Sequence, residues 1–237
     1  MIIRDFTGGG KTILVVAPHA DDEALGAGGL LGLASGMGAR IHVQYVTVSG
    51  FAPQRGGSGV GTSQRMAEVG AVAARLNLAS YDVLFEGEQH HLRLDACPVH
   101  DLLSWMESGS ACSLTAVDPD VVLIPSGKHN HQDHRAVHQA CMGLARARVG
   151  GKPRLFIEYE IPTSCCPGTP AFDPRVYVRL DEDLMRFKKD VFSLYASQVC
   201  EPPGLRSLYA VETLARLRGL ECGAEFAEAF ELALVTI

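Results

Sequence analysis

Apolar residues recur along this chain in blocks of two lengths. Short β-branched or aliphatic runs occupy Thr12 to Ala17, Ile41 to Val48, Tyr81 to Phe85, Asp120 to Pro125 and Arg154 to Tyr159, each about the length of a strand. Between them lie longer stretches of helical character: a Gly/Ala/Leu segment, then Ser63 to Leu76, Val99 to Ser108, and a stretch from Asp133 to Val149. This alternation predicts βαβ units, and so an α/β fold with a mainly parallel, Rossmann-like sheet flanked by helices. From Asp181 to Glu231 the pattern reads as helices broken by Pro202, Pro203 and Gly204, with a strand-like LALVTI at the end. There is no internal repeat and no linker, so residues 1–237 are expected to form one domain.

Composition narrows the class of protein more than its activity. The chain is 47% hydrophobic and 20% charged, and no apolar run approaches the roughly 20 residues that span a bilayer, so no membrane insertion is expected. A formal charge of -6 without a basic cluster argues against nucleic acid as a partner. The N-terminal MIIRDFTGGGKT leads into charge rather than a small-residue cleavage site, which points to the cytoplasm. Seven cysteines without regular spacing or a Cys-x-x-Cys pair read as reduced and mostly buried. The stretch RGGSGVGTS, Arg55 to Ser63, reads as a flexible loop or a mobile lid over a ligand.

Two glycine motifs resemble nucleotide sites and fail on inspection. GGGKT, Gly8 to Thr12, has Asp5 where a phosphate-binding loop needs glycine, and it precedes a strand instead of following one. GAGG, Gly26 to Gly29, has Leu31 at the third glycine position and lies behind carboxylates that repel a pyrophosphate; its glycines suit close packing of helix on sheet.

The chemistry concentrates in two clusters, each following a strand. The first, PHADDE, places His19, Asp21, Asp22 and Glu23 at the strand end where open α/β sheets bind ligands. Helix capping accounts for one of these acids and leaves the others, with the histidine, unexplained. The second, SGKHNHQDHRAVH, gathers His129, His131, His134 and His138 within ten residues, with Asp133 among them. Together the clusters offer His19, Asp22 and His134 as three ligands with a position left for water, the arrangement of a catalytic zinc. Asp21 can then serve as general base, and His131, oriented by Asp133, as an acid or as a donor to a developing oxyanion. His90, His91 and His100 lack such company and read as surface or packing residues.

PHADDE together with HQDH resembles the paired signature of the LmbE-like, or PIG-L, family of zinc-dependent N-acetylglucosaminyl deacetylases. QRMAEVGAVAARLNL, PDVVLIPSG, LYASQV and AEFAEAF are similar to further family segments, so the resemblance covers most of the chain. It implies zinc (Zn2+) on His19, Asp22 and His134, Asp21 as base, His131 assisting as acid or oxyanion partner, and Asp133 holding the ring of His131. It also implies that Arg65 lies near the sugar or its charged aglycone, with a surface salt bridge to Glu68 as the alternative. Ala20 departs from the family, which has proline there, and removes no functional atom.

The expected reaction is removal of an N-acetyl group from an N-acetylglucosamine conjugate, a small-molecule amino-sugar substrate. The alternative is an amidase or deacylase acting on a larger N-acyl group of an antibiotic, glycopeptide or thiol conjugate. A metal-dependent sugar-binding protein would lack the base or the acid, and both are present. A phosphoesterase using a hard divalent metal would call for a second metal site, whose ligands are not evident. Oligomeric state is not legible.

Overall fold

The computed structural model describes residues 8–50, 59–146, 153–164, 168 and 170–236. The apolar runs form five parallel strands: β1 (Thr12–His19), β2 (Arg40–Val48), β3 (Ser80–Glu86), β4 (Val121–Pro125) and β5 (Leu155–Tyr159). Two more, β6 (Val176–Leu180) and β7 (Phe226–Val235), extend the sheet in antiparallel sense, giving the order β3-β2-β1-β4-β5-β7-β6. The chain winds outward from β1 to β3 on one side and resumes at β4 on the other, so the order reverses between β1 and β4. That reversal opens a crevice at the strands' C-terminal ends, where α/β sheets bind ligands.

Both faces of the sheet are covered, which explains why β1 is apolar from Ile13 to Pro18: all of its residues are buried. Ile13, Val15 and Ala17 face one core, closed by α1 (Asp22–Gly36), α2 (Thr62–Leu76), α6 (Glu182–Ser193) and α7 (Leu208–Cys222). Leu14 and Val16 face the other, closed by α3 (Val99–Ser104), α4 (Leu114–Val117) and α5 (Gln132–Leu144).

α1 fits against its neighbours through glycine. A Cβ on Gly26 would stand 2.2 Å from the Tyr159 ring, and one on Gly29 would stand 2.7 Å from Leu180. The GAGG stretch is therefore a packing surface.

The chain departs from the sequence pattern in four places. The expected helix over Val99 to Ser108 ends as α3 at Ser104 and continues as one π turn, Trp105–Gly109. α5 stops at Leu144, and residues 147–152 lie outside the described ones. β6 has no counterpart in the sequence reading, and β7 begins at Phe226, inside the segment read as helical. Of the described cysteines Cys112 and Cys141 are buried, Cys97 and Cys222 are partly so, and Cys200 is exposed, which corrects the expectation of mostly buried thiols. The lid expectation falls partly on 51–58, and Cys165 and Cys166 likewise lie outside the described residues.

Candidate active site

β1 delivers His19 to the crevice, and the turn behind it is tight. Asp21 takes φ 127°, a left-handed conformation rare for a non-glycine residue, and Asp22 opens α1. The side chain of Asp21 does not cap the helix. Its Oδ2 is buried and without a hydrogen-bond partner; the nearest cation is Arg206, with Nε at 3.9 Å. Burial, with Asp22 adding repulsion against the opposing charge of Arg206, raises the pKa of Asp21 to about 6.

Asp22 points the other way, into a ring of histidines. Its Oδ2 accepts the His19 N–H at 2.9 Å and lies 3.4 Å from His19 Nδ1 and 3.3 Å from His134 Nε2. His19, Asp22 and His134 are all buried and their ligand atoms lie within 4.8 Å of one another. Separations of this size are close to the edges of a tetrahedron whose metal bonds are about 2.0–2.1 Å, so the set fits zinc with one position free. Burial opposes charge on both rings. On His19 the hydrogen bonds and charges of Asp133 and Asp22 win and raise its pKa to about 9, whereas His134 falls to about 3. On Asp22 burial is outweighed by His134 and His19, which hold the carboxyl below its usual range.

The structure redirects Asp133. Its Oδ2 lies 2.9 Å from His19 Nε2 and its Oδ1 accepts the Leu94 N–H at 3.0 Å, so the carboxylate orients His19 and leaves Nδ1 for a metal. The expectation that this carboxylate holds the ring of His131 is corrected: His131 is the N-cap of α5, and its Nδ1 accepts the backbone N–H of Asp133 at 3.1 Å. An accepting Nδ1 places the proton of a neutral His131 ring on Nε2.

His129 packs against this cluster without belonging to it. It stacks on His134 with ring centroids 4.2 Å apart, accepts the His131 N–H, and lies 2.9 Å from Thr163 Oγ1. His138 turns away, 3.2 Å from Glu158. A second ligand combination, His19 with His131 and Asp133, shares His19, so two separate metal sites are not found among the described residues.

Over these groups lies a cleft of about 740 Å³. His19, Asp21 and His131 form part of its floor, and Leu92, Val199, Leu205 and Arg206 line it as well. Arg65 lines it too but is only 4% exposed, and its guanidinium donates to Glu68 Oε2 at 2.7 Å, to Ser197 Oγ at 3.2 Å and to the Ala20 carbonyl. The ion pair with Glu68 is thus present and buried rather than on the surface. Sequence reasoning missed His91 and Arg206, both in the cleft wall. His91, read as a surface or packing residue, lies with its ring 5.6 Å from that of His19 and its Nδ1 3.5 Å from Thr47 Oγ1.

Several known proteins share this architecture. A conserved protein of Thermus thermophilus is 25% identical with a TM-score of 0.69, each chain covered over 96%. The N,N'-diacetylchitobiose deacetylase of Pyrococcus horikoshii is 18% identical with a TM-score of 0.69, over 94% of this chain and 83% of that one. The 4-carboxy-2-hydroxymuconate hydratase of Pseudomonas putida is 19% identical with a TM-score of 0.70, over 96% and 98%. One fold therefore serves unlike reactions, and chemistry has to be argued from the site. No curated protein matches the sequence. The model of the PIG-L family, GlcNAc-PI de-N-acetylase, matches residues 14–145, more than half of the chain and both clusters of the site, and the protein belongs to that family.

Proposed function

We propose that the protein is a zinc-dependent N-deacetylase that hydrolyses the acetamido group of an N-acetylglucosamine-type conjugate. The observation that carries this reading is Asp21: a buried carboxylate oxygen without a partner, on the cleft floor beside a three-ligand cluster. His19, Asp22 and His134 would hold the zinc, which would supply a Lewis acid and water with its pKa lowered to about 7. Asp21 takes a proton from the attacking water as its oxygen bonds to the acetyl carbon, and returns it to the amine as the C–N bond breaks, giving acetate and the free amine, which leaves poorly without that proton.

Of the two roles open to His131, the donor role suits its contacts. The neutral ring offers Nε2–H towards a developing oxyanion while Nδ1 keeps its cap hydrogen bond, and protonating Nδ1 would forfeit that bond. Asp133 keeps His19 in the tautomer a metal ligand needs. The sugar role expected for Arg65 is hard to combine with a buried guanidinium held by three groups, and Arg206, with 47% of its side chain exposed, is better placed to meet substrate.

The test is free-amine release from a panel of N-acetylglucosamine conjugates by zinc-loaded protein, with Asp21→Asn alongside. Release that falls by about 10²–10⁴-fold in the variant is expected. Undiminished release with zinc bound would remove Asp21 from the mechanism. The cleft exceeds the needs of an acetyl group and carries apolar Leu92 and Leu205, so the panel includes longer N-acyl chains; release from those alone would move the reading to a larger acyl substrate.

A further inference from the structure

The peptide that joins Ala20 to Asp21 is held at both of its polar atoms. Its carbonyl oxygen accepts from Arg65 Nη2, and its N–H donates to Glu23 Oε2 at 3.2 Å. Each holding group is itself fixed by a separate part of the fold. Glu23 is fully buried, and its Oε1 accepts the hydroxyls of Tyr45, at 3.0 Å, and of Tyr195. Arg65 pairs with Glu68, which accepts the Ser197 N–H at 2.9 Å and the Ser197 hydroxyl at 2.7 Å. The guanidinium also lies over the Tyr195 ring, 5.2 Å from its centroid. β2, α2 and the turn after α6 thus converge on one peptide bond.

That peptide precedes the strained residue. A backbone conformation such as that of Asp21 costs about 1–3 kcal/mol and persists only where its surroundings impose it. No hydrogen bond holds Asp21 Oδ2 and Arg206 Nε stands 3.9 Å away, so the aim of the carboxylate rests chiefly on its backbone.

We infer that Glu23 and Arg65 are positioning residues: they clamp the Ala20–Asp21 peptide and thereby point the carboxylate of Asp21 at the reacting water. This rests on the reading of Asp21 as the base. It gives the third acid of PHADDE a role that neither metal binding nor capping supplies, and it gives Arg65 one that does not require contact with substrate. Glutamate suits the task because both oxygens accept, three donors in all, whereas a glutamine amide would turn an N–H against one of them.

The experiment is a double-mutant cycle on zinc-loaded protein, hydrolysing 4-nitrophenyl acetate so that slow variants stay measurable. Its members are wild type, Glu23→Gln, Asp21→Asn and the double variant, each with zinc stoichiometry and melting temperature recorded. Glu23→Gln should lower kcat about 10–100-fold with KM within about twofold and zinc retained, as expected when a reacting group is misplaced by a fraction of an ångström. In the Asp21→Asn background the same change should cost less than about twofold, because the group it positions is gone. An equal loss in both backgrounds, or loss of zinc, would overturn the clamp. Full activity of Asp21→Asn overturns the proposed base instead, and that is read from the single variant alone. If Glu23→Gln does not fold, Tyr195→Phe replaces it, since it removes one hydroxyl that fixes Oε1 and leaves the ring in place. Arg65→Lys, with one donor centre for a fork of them, should show the same split between kcat and KM.

Discussion

Two roles meet on His131 in the proposed mechanism, and substitution can separate them. Its Nδ1 caps α5, and its ring lines the cleft, where the proposed mechanism uses Nε2–H as a donor. His131→Ala should cost about 1 kcal/mol of stability through the lost cap and about 10²–10³-fold in kcat through the lost donor. Asparagine is a good N-cap whose side chain cannot reach as far as an imidazole, so His131→Asn should recover the stability without recovering the rate. Denaturant titration and steady-state kinetics on both variants test this; recovery of activity by asparagine would show that capping was the whole role. At this scale the clustering was legible, because His19 with Asp22 and His131 with His134 are short-range patterns, and the fold brings His19, Asp22 and His134 within 4.8 Å of one another. Asp133 was misassigned for the opposite reason: His131, two positions away in sequence, is not its partner in space, and His19 lies 114 positions away. His91 and Arg206 gave no signal because loops place them, and no period marks a loop.

Among elements, α1 and α2 are each fifteen residues long yet make opposite use of glycine. Gly26 of α1 faces the buried Tyr159, whose hydroxyl is tied to the Val16 carbonyl at 2.9 Å, so the ring cannot retreat from a methyl group 2.2 Å away. Gly70 of α2 has nothing within 4 Å of where a Cβ would stand. Gly26→Ala should therefore destabilise by at least about 1–3 kcal/mol through overpacking, and Gly70→Ala should stabilise by about 0.5–1 kcal/mol through helix propensity. Thermal unfolding of the pair is the check, and equal shifts would contradict the packing argument. Strands buried on both faces were legible as continuous apolar runs. β6 and the start of β7 were not: VYVRL is short and partly exposed, and AEFAEAF is rich in helix formers that pairing with β5 and β6 overrides.

At the scale of the molecule, the parallel half of the sheet places the site by topology, and a buried ion pair fixes α1 to the antiparallel half. Lys188 of α6 donates from Nζ to the Leu25 carbonyl at 2.7 Å and to Glu228 Oε1 at 2.5 Å. Glu228 of β7 accepts the N–H groups of Gly29 and Leu30 at 2.7 Å each. Both side chains are almost wholly buried, so three elements meet on one pair of charges and its backbone partners. Nothing in the sequence marks the pair, since its members lie forty positions apart and both look like ordinary surface residues. The two N–H groups solvate the Glu228 carboxylate but carry no charge to compensate it. Lys188→Met should thus leave an uncompensated buried carboxylate and cost about 3–5 kcal/mol, far more than loss of an exposed pair such as Arg186 with Asp183. Lys188→Met with Glu228→Gln should recover part of that loss, because the neutral amide oxygen still accepts from α1 while the buried charge is gone. Urea titration should show a fall in midpoint at an unchanged slope. A Lys188→Met protein within about 1 kcal/mol of wild type would mean that α1 is held by its glycine packing alone, and that the ion pair contributes no more than a surface contact.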